Sequence, residues 1–274
     1  MPDFYWIPLE QLPPHLISVL LFLFGAIVGS FLNVCIHRLP EHHSLLWPSS
    51  HCPACEQPIR WFDNIPLLSW LILRGRCRRC RATISPRYPL IELAGALLPL
   101  LVVHRFGLTA DALLLTLLGW SFIVLLVIDL YHYILPDVIT LPGIVAGLLA
   151  AWLVPRVSAL PSLTDASLGL AIGGGLFWLF GWVFERLTGK VGLGFGDVKL
   201  LAMIGAWMGW QALPFTIFAA AVAGSVVGLS WILLLGRDRT LPIPFGPYLV
   251  LAAWSYLYWG ADFYSWYFNA FIPG

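Results

Sequence analysis

Long apolar runs separated by short polar stretches occupy most of the chain. A bilayer core of about 30 Å is crossed by roughly 20 apolar residues in a helix, so each run predicts a membrane-spanning helix. Several runs are shorter than this, and one short pair is also compatible with a re-entrant segment. The pattern predicts about eight spans, at residues 15–36, 89–103, 112–130, 138–154, 167–184, 197–211, 213–236 and 245–261.

Composition excludes a soluble protein. The chain has 274 residues, of which 59% are hydrophobic and only 11% charged, with a mean hydropathy of +0.85. A soluble domain carries about 25% charged residues. The 15% aromatic content also excludes a disordered chain. A net charge of +1 gives no reason to expect nucleic acid as a partner. The predicted fold class is an all-α polytopic membrane protein in a lipid bilayer.

Basic residues predict the orientation of the spans. Twelve loop Lys and Arg residues fall on one side of the predicted spans and two on the other, and cytoplasmic loops are the ones enriched in these residues. Both termini are therefore expected outside and the long loop at 37–88 in the cytoplasm. The expected domains are 1–36 with the first span, 37–88 as a cytoplasmic loop domain, and 89–274 as the intramembrane core. The basic residues on the cytoplasmic side are Arg38, Arg60, Arg74, Arg76, Arg78, Arg79, Arg81, Arg87, Arg186, Lys190, Arg237 and Arg239, and those opposite are Arg105 and Arg156.

The 37–88 loop contains two C-x2-C pairs, Cys52/Cys55 and Cys77/Cys80, separated by 21 residues. Four such cysteines match tetrahedral zinc coordination, and a closed four-thiolate site is structural. Two disulfides are the redox alternative, although stable disulfides are rare in a reducing cytosol, and unliganded thiols are a third. A loop of about 50 residues is too small for a sufficient core without such a staple. Cys35 stands apart in the first span and is predicted to be a small buried residue.

Two acidic residues lie at the ends of apolar runs. Asp129 closes the run at 112–130, and Asp197 opens the run at 197–211. Ionisable residues inside membrane spans are rare and functional by default. Because the third span runs inward and the sixth runs outward, Asp129 lies about 25 Å into the ~30 Å core, and Asp197 starts at the same face. The two carboxyl groups are therefore predicted to share one depth, near the cytoplasmic face.

A pair of carboxyl groups in a partly desolvated site suits hydrolysis. Both cannot ionise cheaply, so one is expected to keep a proton. The ionised member can take a proton from water while the other donates to an amide oxygen, as in aspartic peptidases. Two other interpretations stay open at this point: each aspartate caps a helix, or the pair carries protons in a transporter.

Glycines and a third aspartate surround this pair. Gly194 and Gly196 precede Asp197 in the sequence GFGD, and glycine allows an unwound substrate backbone to come close, with simple flexibility as the alternative. Asp137 is predicted to cap the fourth span. The glycines at 173–175 predict close helix packing.

Five blocks of sequence resemble the bacterial type IV prepilin leader peptidases, the peptidases and N-methyltransferases of pilus and type II secretion systems. The blocks occur in the order and spacing of that family and extend over nearly the whole chain. They are GSFLNVCIHRLP at 29–40, CPACEQPIRWFDNIPLLSWLILRGRCRRCRATISPRYPLIEL at 52–93, IDLYHYILPDVITLP at 128–142, TGKVGLGFGDVKLLAMIGAWMGWQ at 188–211 and IPFGPYL at 243–249.

The resemblance implies an inner-membrane aspartic peptidase of the GxGD type, with Asp129 and Asp197 as its catalytic acids. Its substrates would be prepilins or pseudopilins, cut after a glycine ahead of an apolar helix that usually begins with Phe. The family then methylates the new N-terminal amine with S-adenosylmethionine. The sequence contains no nucleotide-binding glycine fingerprint after a strand, so methylation is implied by the resemblance alone. A peptidase without methylation and a proton-coupled transporter or secretion scaffold are the alternatives.

Overall fold

Helices form nearly all of the regular structure in the computed structural model, which describes residues 13–153, 159–189, 194–235 and 243–271. Within these residues there is no β-strand beyond two isolated bridges. The helices are α1 Pro14–Arg38, α2 Leu68–Ile72, α3 Arg87–Phe106, α4 Ala110–His132, α5 Asp137–Leu153, α6 Leu163–Leu170, α7 Phe177–Thr188, α8 Phe195–Met208, α9 Ala212–Leu235 and α10 Gly246–Phe271, with a 3-10 turn at Trp61–Asp63 and a π-helical turn at Ala171–Leu176 between α6 and α7.

Each apolar run in the sequence coincides with a helix, so the all-helical class is confirmed. Five helices in the described residues are long and apolar enough to cross a membrane. Two others are shorter: α5 has 17 residues and α8 has 14. At about 1.5 Å per residue, α8 covers only about 21 Å. The five helices that are both long and apolar enough are Pro14–Arg38, Arg87–Phe106, Ala110–His132, Leu163–Thr188 (α6, the π turn and α7) and Ala212–Leu234.

Some features used to orient the chain lie outside the described residues. They are the basic residues Arg156, Lys190, Arg237 and Arg239. The chain divides into two compact units, Met1–Val124 and Leu125–Gly274. Each unit has its own set of packed helices.

Glycines bring α1 and α3 together in the first unit. A Cβ at Gly29 would lie 2.8 Å from the Cα of Glu92, and one at Gly95 would lie 2.6 Å from the Cα of Gly29. Helices in membranes associate through such small residues because lipid offers little hydrophobic drive for packing. Asn33 adds a hydrogen bond from its side-chain amide to the carbonyl of Tyr88 at 3.1 Å. Cys35 is buried on α1, as predicted.

In the second unit, α8 is the central helix and packs against α5, α6 and the π turn. Every residue from Leu200 to Met208 is buried. A Cβ at Gly169 would overlap the carbonyl of Gly205, and the reverse is also true. A Cβ at Gly173 would likewise overlap the carbonyl of Leu201. The predicted packing role is therefore confirmed for Gly173, whereas a Cβ at Gly175 would meet nothing within 4 Å.

We expect Gly205→Ala to destabilise the protein, because the added methyl group must displace the backbone of α6. Overpacking of this kind costs about 1–3 kcal/mol. Gly175→Ala is the matched control, since its Cβ enters open space and alanine favours a helix over glycine by about 0.5–1 kcal/mol. Thermal unfolding in detergent measures both variants. Equal midpoints for the two would contradict the backbone contact between α6 and α8.

Candidate active site

Asp129 lies in the last turn of α4, three residues before the helix ends at His132. Its side chain is only 5% exposed. A buried carboxylate needs a hydrogen-bond donor to compensate for lost water. The donor is the backbone N–H of Gly246, which lies 2.9 Å from Oδ2 of Asp129. Gly246 is the first residue of α10.

Asp197 lies in the first turn of α8, where Gly194 is the N-cap. The side chain is half-buried, and it lies near enough to Asp129 for the two negative charges to repel each other. The two aspartates, far apart in sequence, therefore belong to one site at the end of one helix and the start of another. The shared depth of the two residues near the cytoplasmic face, and their catalytic role, remain predictions.

The glycines that precede Asp197 make room for side chains of this same chain. A Cβ at Gly194 would lie 3.0 Å from Oδ2 of Asp197, and a Cβ at Gly196 would lie 3.2 Å from Cβ of Leu135. Both contacts are tighter than ordinary packing allows. The expected role of these glycines in substrate approach remains a prediction.

Sequence reasoning missed two residues of this site, Leu135 and Gly246. Leu135 is 8% exposed and lies beside both Gly196 and the position that a Cβ of Gly246 would occupy. One leucine thus lies beside both the start of α8, which carries Asp197, and the start of α10, which donates to Asp129. The only signal in the sequence was the block IPFGPYL, in which glycine precedes proline at a helix start.

Asp137 does not cap α5 as predicted. It is the first residue of that helix, and its Oδ1 accepts a hydrogen bond from Nζ of Lys199 at 2.5 Å. The ammonium group of Lys199 also lies 4.5 Å from the centre of the Phe195 ring. Because a lysine of α8 was available to pair with it, the carboxylate of Asp137 makes a tertiary contact instead of a local one.

The four cysteines of the two C-x2-C pairs come together in the first unit. All are free thiols, and their sulfur atoms lie within 4.8 Å of one another. The sulfurs of Cys52 and Cys80 are 3.8 Å apart, close to the edge of about 3.8 Å of a tetrahedron with Zn–S bonds of ~2.3 Å. The cluster is therefore compatible with a zinc site, and the disulfide alternative finds no support.

Both cysteine pairs are built on the same turn. The N–H of Glu56 donates to the carbonyl of Cys52, and the N–H of Arg81 donates to the carbonyl of Cys77. Glu56 and Arg81 both have positive φ angles, which tightly reversed turns of this kind require. Neither residue is glycine, so the C-x2-C spacing alone predicts the tight turn. The result is two similar loops that aim their sulfurs at a common point.

Backbone hydrogen bonds lower the pKa of one of the four thiols. The N–H groups of Cys80 and Arg79 donate to Cys77 and lower the pKa of its thiol to about 7. The N–H of Gln57 lowers the pKa of Cys55, but burial and the neighbouring thiols outweigh it and raise that pKa to about 11. Since the thiolate is the form that binds metal, the Cys77 thiol is more available to a metal ion at neutral pH than the Cys55 thiol.

Comparison with known proteins assigns the whole chain to one family. Residues 23–106 match the bacterial peptidase A24 N-terminal domain, and residues 111–229 match the type IV leader peptidase family. A prepilin leader peptidase/N-methyltransferase of Aeromonas hydrophila is 44% identical over 94% of this chain and 96% of its own length. Those of Stutzerimonas stutzeri and Pseudomonas aeruginosa are each 41% identical over 92% of this chain and 95% and 94% of their own lengths. No solved structure matches the chain. This chain belongs to the type IV leader peptidase family.

Proposed function

We propose that this protein cleaves the leader peptide from type IV prepilins and then methylates the new N-terminal residue. Its relatives carry both activities in their name and match nearly the full length of both chains. The observation that carries the peptidase half is geometric: Leu135 lies beside both Gly246, which donates to Asp129, and Gly196, which precedes Asp197. We further propose that cleavage follows a glycine, that the new first residue is usually Phe, and that pseudopilins of type II secretion are also substrates.

Asp129 and Asp197 are the proposed catalytic residues. Hydrolysis of an amide needs a base to activate water and an acid to protonate the carbonyl oxygen. A carboxyl pair that shares one proton supplies both without a metal. Gly194 and Gly196 form the proposed approach for the unwound substrate segment. Capping alone does not account for Asp129, which lies at the C-terminal end of α4, where a carboxylate is unfavourable for the helix dipole.

The proposed membrane arrangement has eight spans in the bacterial inner membrane. Both termini would lie outside, and the aspartates would face the cytoplasm, where a prepilin leader is located. The five long apolar helices support the multi-pass arrangement. The helix α8 is shorter than the bilayer core is thick. In this proposal it still counts as a span, because its first turn, at residues 194–197, lies slightly inside the bilayer surface. In the same arrangement the chain has three domains: 1–36 with the first span, 37–88 as the cytoplasmic loop domain, and 89–274 as the intramembrane core.

We propose that Cys52, Cys55, Cys77 and Cys80 are the ligands of a zinc ion. Zinc in a closed four-thiolate site binds no substrate, so its contribution is to fold the 37–88 segment. Arg79 donates a hydrogen bond to the side chain of Gln57 at 2.8 Å, which joins the two cysteine turns a second time. S-adenosylmethionine is the proposed methyl donor, and no residue is assigned to it.

The test of the proposed function is cleavage of a purified prepilin in detergent, followed by mass spectrometry of the product. We expect a product that begins directly after the leader glycine. With S-adenosylmethionine present, its N-terminal peptide should gain the mass of one methylene group. Cleavage without the added mass would show that the protein is a peptidase that does not methylate its product. No cleavage by pure, folded protein would overturn the assignment and favour a transporter or scaffold.

A further inference from the structure

We propose that Gly246 is a positioning residue that holds Asp129 as the ionised member of the pair. Asp129 is then the residue that activates water, and Asp197 is the residue that protonates the carbonyl oxygen. This inference rests on the proposed peptidase function and assigns a separate role to each acid.

Asp129 accepts a hydrogen bond from the start of a long helix. The N–H of Gly246 donates to Oδ2 at 2.9 Å, and both groups are buried. This N–H is the first of α10, which has 26 residues, so it has no partner within its own helix. A hydrogen bond from an amide at a helix N-terminus is stronger to a carboxylate than to a neutral carboxylic acid. The arrangement therefore favours the negative charge on Asp129.

Asp197 has different surroundings. Among the residues that the structure describes, none donates a hydrogen bond to its carboxyl group. Its position in the first turn of α8 gives it the dipole of a 14-residue helix, but no described residue adds a direct amide contact. The nearest cation along the helix is Lys199, which is paired with Asp137. Because Lys199 comes two residues after Asp197, the two side chains leave the helix about 200° apart around its axis. Of the two acids, Asp197 is thus the one better suited to keep the shared proton.

Position 246 has space only for glycine. A Cβ there would lie 2.6 Å from Oδ2 and 3.2 Å from Cγ of Asp129, and 3.4 Å from Cδ2 of Leu135. Leu135 is itself held against Gly196. The leucine therefore has little room to yield, and a side chain at position 246 would push the Asp129 carboxylate out of place.

These roles give a balanced reaction. The Asp129 carboxylate takes a proton from water as the water oxygen bonds to the carbonyl carbon, and Asp197 gives its proton to the carbonyl oxygen. The product is a neutral gem-diol. Asp129 then returns its proton to the amide nitrogen while Asp197 removes a proton from one diol hydroxyl. The C–N bond breaks, and both acids regain their starting states.

The first test compares Gly246→Ala with Gly175→Ala in the prepilin cleavage assay. We expect Gly246→Ala to lower kcat by about 100-fold, the effect of a misplaced catalytic group, with KM unchanged because no substrate contact is lost. Gly175→Ala should cleave like the wild type, since its Cβ meets nothing within 4 Å. Thermal unfolding checks that both variants are folded. Wild-type kcat in Gly246→Ala would overturn the proposal, as would a rise in KM alone.

The second test uses the wild type and so does not depend on a variant that folds. A small apolar epoxide is opened by a carboxylate, which forms an ester, while the epoxide oxygen takes a proton from the neighbouring acid. We expect the ester on Asp129, located by mass spectrometry of peptides, with cleavage activity lost in parallel. An ester on Asp197 would reverse the assignment while leaving the peptidase function intact. Failure of the wild type to cleave prepilin would instead refute the proposed function.

Discussion

Asp129→Asn and Asp197→Asn are each expected to abolish leader cleavage, with a loss of at least about 1,000-fold in kcat. An amide cannot accept a proton from water or donate one as an acid, so either change removes a whole step of the reaction. The substitution keeps the shape of the side chain, and the carbonyl oxygen of the new amide at position 129 can still accept the N–H of Gly246. We therefore expect both variants to be made and to fold normally. The measurement is the rate of prepilin cleavage in detergent.

The matched control for these variants is Asp137→Asn. This aspartate is close to the site in sequence, but its side chain is 56% exposed and pairs with Lys199. Exposed pairs of this kind contribute about 0–1 kcal/mol, so most of the cleavage activity should remain. The Asp129→Asn and Asp197→Asn variants should also still methylate a substrate that has already been cut. Wild-type cleavage by either one would show that the pair is not the catalytic centre.

Exchanging Cys52 or Cys80 for Ser is expected to remove bound zinc and unfold the loop between α1 and α3. The loss is large because zinc binding to structural sites of this kind contributes about 10–16 kcal/mol at neutral pH. The regular structure of the described loop is limited to a short helix, a 3-10 turn and two isolated bridges. Metal analysis of the purified protein and limited proteolysis of the loop measure the two effects.

Cys35→Ala is the control for the zinc prediction. Cys35 is a buried residue of α1 and does not belong to the cluster, so this variant should keep one zinc per chain and a protected loop. Purified wild type without zinc, or a Cys52→Ser variant that retains it, would contradict the four-thiolate site. If the cysteine variants lost complex assembly while Asp129→Asn had no effect, a scaffold function would be favoured.

The positions of the helices could be predicted from the sequence because their signal is local. The predicted first span, 15–36, and the helix Pro14–Arg38 differ by no more than two residues at either end. An uninterrupted apolar run has no stable alternative to a helix in lipid, since its backbone groups must pair with one another. The short helix α8 is harder to classify in this way. Its residues from Leu200 to Met208 are all buried inside the second unit. Contact with other helices therefore explains why this stretch is apolar on every side.

Asp137 and the glycines illustrate why other features could not be predicted. Aspartate after proline is typical of a helix cap, and only the position of Lys199, 62 residues later, decides that it forms an ion pair. Three consecutive glycines at 173–175 look equivalent in the sequence. In the structure one contacts the backbone of α8 and another faces open space.

Local sequence was sufficient to predict the apolar helices and the cysteine cluster, and to single out the two aspartates as candidate catalytic residues. The physical reason is that lipid requires apolar runs, a carboxyl group within such a run is costly, and zinc requires closely spaced thiolates. The groups that surround the aspartates emerged only from the packing of the chain. The bond from Gly246 to Asp129 joins residues 117 positions apart, and Leu135 contacts two glycines from different helices. Such contacts depend on how helices pack against one another, and local hydropathy carries no information about that packing.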